Sequence, residues 1–269
     1  MLFFLKEWMV WMIMPHNKQL LLLALCPIPV LASAGNPSLP APLTALEKQG
    51  LQLKGEFTLK PDFKGYVMEY DGQGTTVFLS PDNKYAFVGN LVDSDGNNLS
   101  TPWVEKYVYT PLAHEMWHKL GESRWIQDGN NSAPQKVYVF FDPYCPYCTE
   151  FWQKVRPWVD SGKVQLRLIP VGILRPDSNL KAAAIMMSGN PVKTLHDYES
   201  SHWKTLLDKP DNIPPDITDA LQANLQLMEK LGSNATPAIY YLSPAGRLQQ
   251  QMGLPPDDDT MNTIMGGKP

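Results

Sequence analysis

The rhythm of apolar and polar positions changes twice along this chain. Between residues 50 and 92 it runs in short alternating stretches bounded by turn residues, the mark of half-buried strands. "GLQLKGEFTL" and "KGYVMEY" read as two such strands, with a turn following at Asp71-Gly72. "TTVFLS" and "KYAFVGNLV" flank "PDN", a hairpin signal, and "DSDGNN" closes the β-rich stretch near residue 98. Ahead of it, "GNPSLPAPLTALEKQ" is Pro-rich and then turns helical. About 60 residues bury too little surface to stand comfortably alone. This unit is therefore expected to cover a face against something, most simply a second copy of itself.

Residues 100–121 carry a helical pattern. Thr101-Pro102 and Thr110-Pro111 each place a hydroxyl before a proline, which predicts helix starts, and "LAHEMWHKLG" predicts one helix stopping at Gly121. A helix here is a spacer of defined reach. From residue 122 the rhythm turns to mixed α/β. "QKVYVFF" is an unbroken apolar run of the buried, central-strand kind. A helix is predicted from around Cys148 through "TEFWQKVRPWVDSG" to Gly162, then a strand in "KVQLRLIPVGI". Residues 179–231 read mostly as helices, "LKAAAIMMSG" and "DITDALQANLQLMEKLG" most clearly. "PAIYYLS" and "LQQQMG" form a hairpin across Pro244-Ala245-Gly246, and a last helix covers Asp257 to Met265.

The first residues follow a different logic. "NKQLLLLALCPIPVLASAG" joins Lys18, an apolar run from Leu20 to Leu31 and Ala32-Ser33-Ala34, the layout of a secretory signal peptide. The run is short and holds Pro27 and Pro29, whereas a spanning helix needs about 20 apolar residues. Met14 is an alternative start that would give an ordinary short basic region. The expected organisation is a signal peptide at 1–34, a β-rich N-terminal domain at 35–98, a helical linker at 99–121 and a catalytic domain at 122–269. A net charge of −4 without basic stretches gives no indication of a nucleic-acid partner.

Removal of the signal peptide would leave two cysteines, Cys145 and Cys148, in "FFDPYCPYC". The order strand, C-x-x-C, helix puts Cys145 at a helix start, where free amides and the dipole favour an anion. There a thiolate becomes accessible near neutral pH, since such positions bring a thiol pKa of about 8.5 down to ~3.5–7. Cys145 would attack, and Cys148, one turn further in, would resolve the mixed disulfide. Pro146 fixes the backbone and removes one amide donor. Tyr147 offers an apolar face with a hydroxyl tip, and Asp142 is expected to turn toward backbone amides. A zinc site is disfavoured, because the only further ligands, such as His114 and His118, precede the cysteines at unsuitable spacing. A structural disulfide would close only a tiny loop and stabilise little. No cofactor beyond the dithiol is expected. In "NATPAIYY", Thr236-Pro237 is a candidate cis bond, and a trans proline at a strand edge fits the residues equally well.

"DPYCPYC" followed by "FW", with "ATPAIYY", "LTALEKQG", "GNNLS", "EMW", "RPWVDSGKVQLR" and the late "IMG", resembles the DsbC/DsbG family of periplasmic thiol:disulfide interchange proteins over essentially the whole mature chain. The DsbC branch usually carries Gly where this chain has Pro146, so the likeness runs to the DsbG branch. The resemblance implies an α+β architecture: a cystatin-like dimerisation domain, a helical linker and a thioredoxin fold with a helical insertion. It also implies a homodimer with both dithiols facing a cleft, and a Thr236-Pro237 loop that contacts substrate beside Cys145. The membrane carrier DsbD would keep the pair reduced. The activities implied are disulfide isomerisation, reduction of sulfenic acids on exported clients, and chaperone-like binding. The residues leave two rivals: a glutaredoxin-like reductase, since CPYC occurs there as well, and a holding chaperone whose cysteines are secondary.

Overall fold

The computed structural model describes residues 39–60 and 63–269. The expected signal peptide at 1–34 lies outside the described residues. Helix α1 (Ala41–Lys48) leads into a four-stranded antiparallel sheet of β1 (Gln52–Lys60), β2 (Phe63–Tyr70), β3 (Gln73–Leu79) and β4 (Ala86–Val88), paired in chain order. The alternation in the sequence produces this meander, with Asp71 and Gly72 at positive φ in the tight turn between β2 and β3. β4 has only three residues, far fewer than "KYAFVGNLV" suggested. Residues 89–98 instead make a turn whose amides are held by the Asp93 carboxylate.

A second sheet has the order β5-β7-β6-β8-β9, built from β5 (Ile126–Asp128), β6 (Gln135–Phe141), β7 (Val164–Pro170), β8 (Ala238–Leu242) and β9 (Leu248–Met252). β6 and β7 are parallel and the other pairs antiparallel. The unbroken apolar run of β6 is explained by two-sided burial. Val137, Val139 and Phe141 enter one core and Tyr138 and Phe140 the other, as successive strand side chains must. The first core is covered by α4 (Pro146–Lys154), α5 (Arg156–Asp160), α6 (Ser178–Met187), α7 (Pro191–Ser200), part of α8 (Pro215–Lys230) and α9 (Asp258–Ile264). Three of these, α6 to α8, form the helical insertion between β7 and β8. No helix among the described residues is long and apolar enough to cross a membrane.

Three expectations are corrected. Thr110-Pro111 does not begin a helix. α2 (Thr101–Val104), a π-turn (Glu105–Tyr109) and α3 (Thr110–Glu122) run on from one another, and helix continues through Gly121 to Glu122. Pro111 has no amide to give and its ring crowds the preceding turn. One extra residue per turn just before it, with Thr110 N–H reaching back to Glu105 O, accommodates this. Second, the helix after the strand begins at Pro146, not Cys148, because proline suits the first helical position. It breaks at Val155, before Pro157, into α4 and α5. Third, "WIQDG", which carries no strand signal of its own, holds the short strand β5.

The helix between the sheets is also more than a spacer. Val104 and Val108 pack with Phe57, Val67 and Phe78 of the first sheet, whereas Leu120 is buried with Tyr138, Phe140 and Met228 of the second. The approach to the first sheet is close: a Cβ built on Gly74 of β3 would lie 2.5 Å from Val104 Cγ1 and 3.1 Å from Val108 Cγ2. Gly74→Ala should therefore lower the stability of the fold by about 1–3 kcal/mol, read from the midpoint of urea unfolding. Gly246→Ala, which meets nothing within 4 Å, should cost less despite its φ of +72°.

Candidate active site

β6 ends at Phe141, and the next four residues turn the chain into α4. Asp142 fixes this turn. Fully buried, its carboxylate accepts the Tyr144 amide at 2.8 Å, the Ile173 and Leu174 amides at 2.7 and 2.9 Å, and the Ser178 hydroxyl at 3.1 Å. It thus ties the loop before α4 to the loop before α6 and, as expected, spends its charge on backbone amides.

Cys145 is the N-cap of α4, in extended backbone, with Pro146 at the first helical position. Its Sγ accepts the Cys148 amide at 3.2 Å, the place an oxygen occupies in an ordinary helix cap. The Cys145 pKa is lowered to about 7, chiefly because the Cys148 thiol donates to this sulfur. Burial opposes the shift, and the Thr236 side chain and the amides of Cys148 and Tyr147 add to it. Cys148, buried at the base of the helix, has its pKa pushed well above the usual thiol value by burial and by its donation to Cys145. Both sulfurs are free, and the residues are 2% and 4% exposed.

Thr236-Pro237 is a cis peptide, and the Thr236 carbonyl lies 3.2 Å from Cys145 Sγ, where the thiol form donates to it. Thr236 Oγ1 is buried and makes no hydrogen bond of ordinary geometry, yet its nearness to the sulfurs favours their charged forms. The structure thus gathers Cys145, Cys148 and Thr236-Pro237 at one point. Tyr147 is 58% exposed beside them. His114 and His118 are exposed on α3.

One polar group escaped the sequence reading. Glu199 on α7 is buried, accepts the Thr149 hydroxyl at 2.5 Å, and shares a cavity with Cys148. No motif marks it. Leu195, Tyr198 and Glu199 do fall at i, i+3 and i+4, so a carboxylate in the apolar stripe of a helix was the available sign.

Comparison with known proteins places this geometry. A family model described as thioredoxin matches residues 121–241. The chain is 47% identical over 251 residues to the thiol:disulfide interchange protein DsbG of Escherichia coli K12, covering 93% of this chain and 99% of that protein. The chain belongs to the DsbG family of thiol:disulfide interchange proteins. The DsbG of Pseudomonas aeruginosa is 46% identical over 228 residues, covering 85% of this chain and 89% of that one. Among solved structures, the catalytic domain of Proteus mirabilis ScsC matches at 21% identity with a TM-score of 0.49, covering 59% of this chain and 97% of that one.

As a DsbG-family thiol-disulfide oxidoreductase, the protein exchanges electrons with client cysteines. The donors around Cys145 set the pH at which its sulfur ionises. Alkylation of reduced protein by iodoacetamide should show a Cys145 rate with its midpoint at about pH 7. Cys148→Ala removes the largest stabilising donor and should move that midpoint up toward the free-thiol value of about 8.5.

Proposed function

We propose that Cys145 attacks oxidised sulfur on exported client proteins and that Cys148 releases the reduced client. With a sulfenic acid, the Cys145 thiolate displaces the sulfenic oxygen, which leaves as water after taking up protons, and a mixed disulfide forms. Cys148, once deprotonated, attacks Cys145 Sγ. The bond to the client breaks, the client thiolate leaves with the electron pair, and the Cys145–Cys148 disulfide holds the two-electron oxidation. With a non-native disulfide the first attack is the same. A second client thiolate can then displace Cys145, giving isomerisation without net oxidation.

What carries this reading is the contrast between the two thiols: one held near neutral pKa at a helix start, the other protonated in the interior. Pro146, Tyr147, Thr236 and Pro237 border the reacting sulfur, and we assign them to client contact. The cycle needs no bound cofactor, and an external dithiol donor, DsbD in the family reading, would return the pair to its reduced form. The apparent signal peptide favours a periplasmic location.

A homodimer through the first sheet fits its free edge. There the three-residue β4 and its neighbours leave Tyr85, Phe87, Val88 and Val92 between 53% and 67% exposed. Exposed apolar groups gathered in this way suit an interface. The boundaries of an N-terminal dimerisation domain, a linker and a catalytic domain follow the same reading.

Covalent trapping tests the assignment of roles. Cys148→Ser should accumulate mixed disulfides with clients that a reducing agent releases, while Cys145→Ser should accumulate none. Equal trapping by the two variants would contradict it.

A further inference from the structure

The interchange cycle requires Cys148 to lose its proton, and burial opposes that loss. Burial still favours the protonated thiol once Cys145 is in the mixed disulfide, and a nearby base would speed the loss of its proton. The described residues offer one. Glu199 lies on the insertion helix α7, and with Cys148 it lines a cavity of about 10 Å³ walled by Val139, Phe141, Phe151 and Leu168. That is about the space one water molecule occupies. A buried carboxylate in an apolar core is costly unless it is hydrogen-bonded, paired or protonated. We propose that Glu199, across the small cavity it shares with Cys148, accepts the Cys148 proton as that sulfur resolves the mixed disulfide.

The surroundings fit this task. Thr149, the residue after Cys148, donates its hydroxyl to Glu199 Oε2, and Trp203 Nε1 donates to Thr149 Oγ1 at 2.8 Å, so the carboxyl is anchored to α4 itself. Burial raises the Glu199 pKa to about 7, against the donation from Thr149 and Trp203, and charge on Cys145 raises it further. A base of this strength can take a proton and return it near neutral pH. Of the ionisable groups, Cys145 acts on it through its charge and Cys148 shares its cavity, while its neighbour Tyr198 feels Asp142 and receives Lys181 Nζ at 2.8 Å, and His196 of the same helix packs on Trp152. β6 and β7 bring only apolar side chains to the cavity.

The step balances. The Cys148 proton passes to the carboxylate, directly or through one water. The Cys148 thiolate then forms the bond to Cys145 as the Cys145–client bond breaks, and the client thiolate leaves with the electron pair. Glu199 returns the proton to solvent or to the departing thiolate. Glu199 therefore acts on the resolving step and not on the initial attack.

The inference rests on the roles assigned to the two cysteines, and one experiment separates the two. Reduced full-length protein is mixed in stopped flow with the aryl disulfide dithiobis(nitrobenzoate). A first thionitrobenzoate is released when Cys145 attacks and a second when Cys148 resolves. Cys145 no longer titrates once it is in the mixed disulfide, so any inflection in the second release belongs to another group. In the wild type, the second rate should rise with pH and level off at or below about 7, since loss of the Cys145 charge lowers Glu199. Glu199→Gln should slow the second release about 100-fold at pH 7 and leave it climbing steadily above pH 8. Its first release should be as fast as in the wild type or faster, because a negative charge near Cys145 has gone. A second release unchanged in Glu199→Gln, or one in the wild type that climbs without levelling, overturns the inference. Should the variant fail to fold, the wild-type profile alone decides. Failure of the first release to depend on Cys145 would instead overturn the cysteine assignment.

Discussion

The amide of Cys148 pointing at the sulfur of Cys145 is the contact around which this molecule is arranged. It exists only because a sulfur occupies the capping position of α4, where the first amides of a helix lack partners of their own. Everything nearby keeps that geometry fixed. Pro146 is the first helical residue and presents no amide, and Asp142 collects an amide of this turn and amides of the loop before α6. β6 anchors the turn from behind with side chains buried on both faces. A thiol pKa near 7 thus follows from one neighbouring S–H, the Thr236 side chain and backbone placement, with no cation among its causes.

The same arrangement makes the two sulfurs unequal. The hydrogen bond that most stabilises charge on Cys145 is drawn from the Cys148 thiol, with the Thr236 side chain and the amides of Cys148 and Tyr147 adding to it, and the donor thiol becomes harder to ionise in return. The pair therefore behaves as one coupled unit, with a reactive atom at the helix start and a guarded one a turn further in. A buried carboxylate that shares a cavity with Cys148 gives the helical insertion a proposed place in the chemistry besides its part in the core.

Much of this was legible in the chain. The C-x-x-C after an unbroken apolar strand placed Cys145 at a helix start, although the helix begins two residues earlier than the spacing suggests. Alternation located β1 to β3, and apolar spacing located α6 and α8. What escaped was decided by contacts distant in sequence. β5 is three residues long, and it forms by pairing Ile126–Asp128 with Leu166–Leu168. Glu199 lies about fifty residues from the thiol it faces, and only the packing of α7 against α4 brings the two together. The continuous helix ahead of β5 was misjudged for a local reason. Two Thr-Pro pairs look like two caps, and the π-turn that accommodates the second proline leaves no trace in hydrophobic spacing.

That wide turn has a mechanical meaning. The helix is pinned at one end by valines sunk into the first sheet and at the other by Leu120 sunk into the second, so neither end can slide without opening a core. The wide turn is itself part of the first anchorage: Val108 is buried in that core and the Tyr107 hydroxyl donates to Glu56 O of β1 at 3.0 Å, so the displaced carbonyl ladder is held against the sheet. The rod is thus a strut seated in both cores, and the displaced step in its ladder is where the second proline is taken up without breaking it.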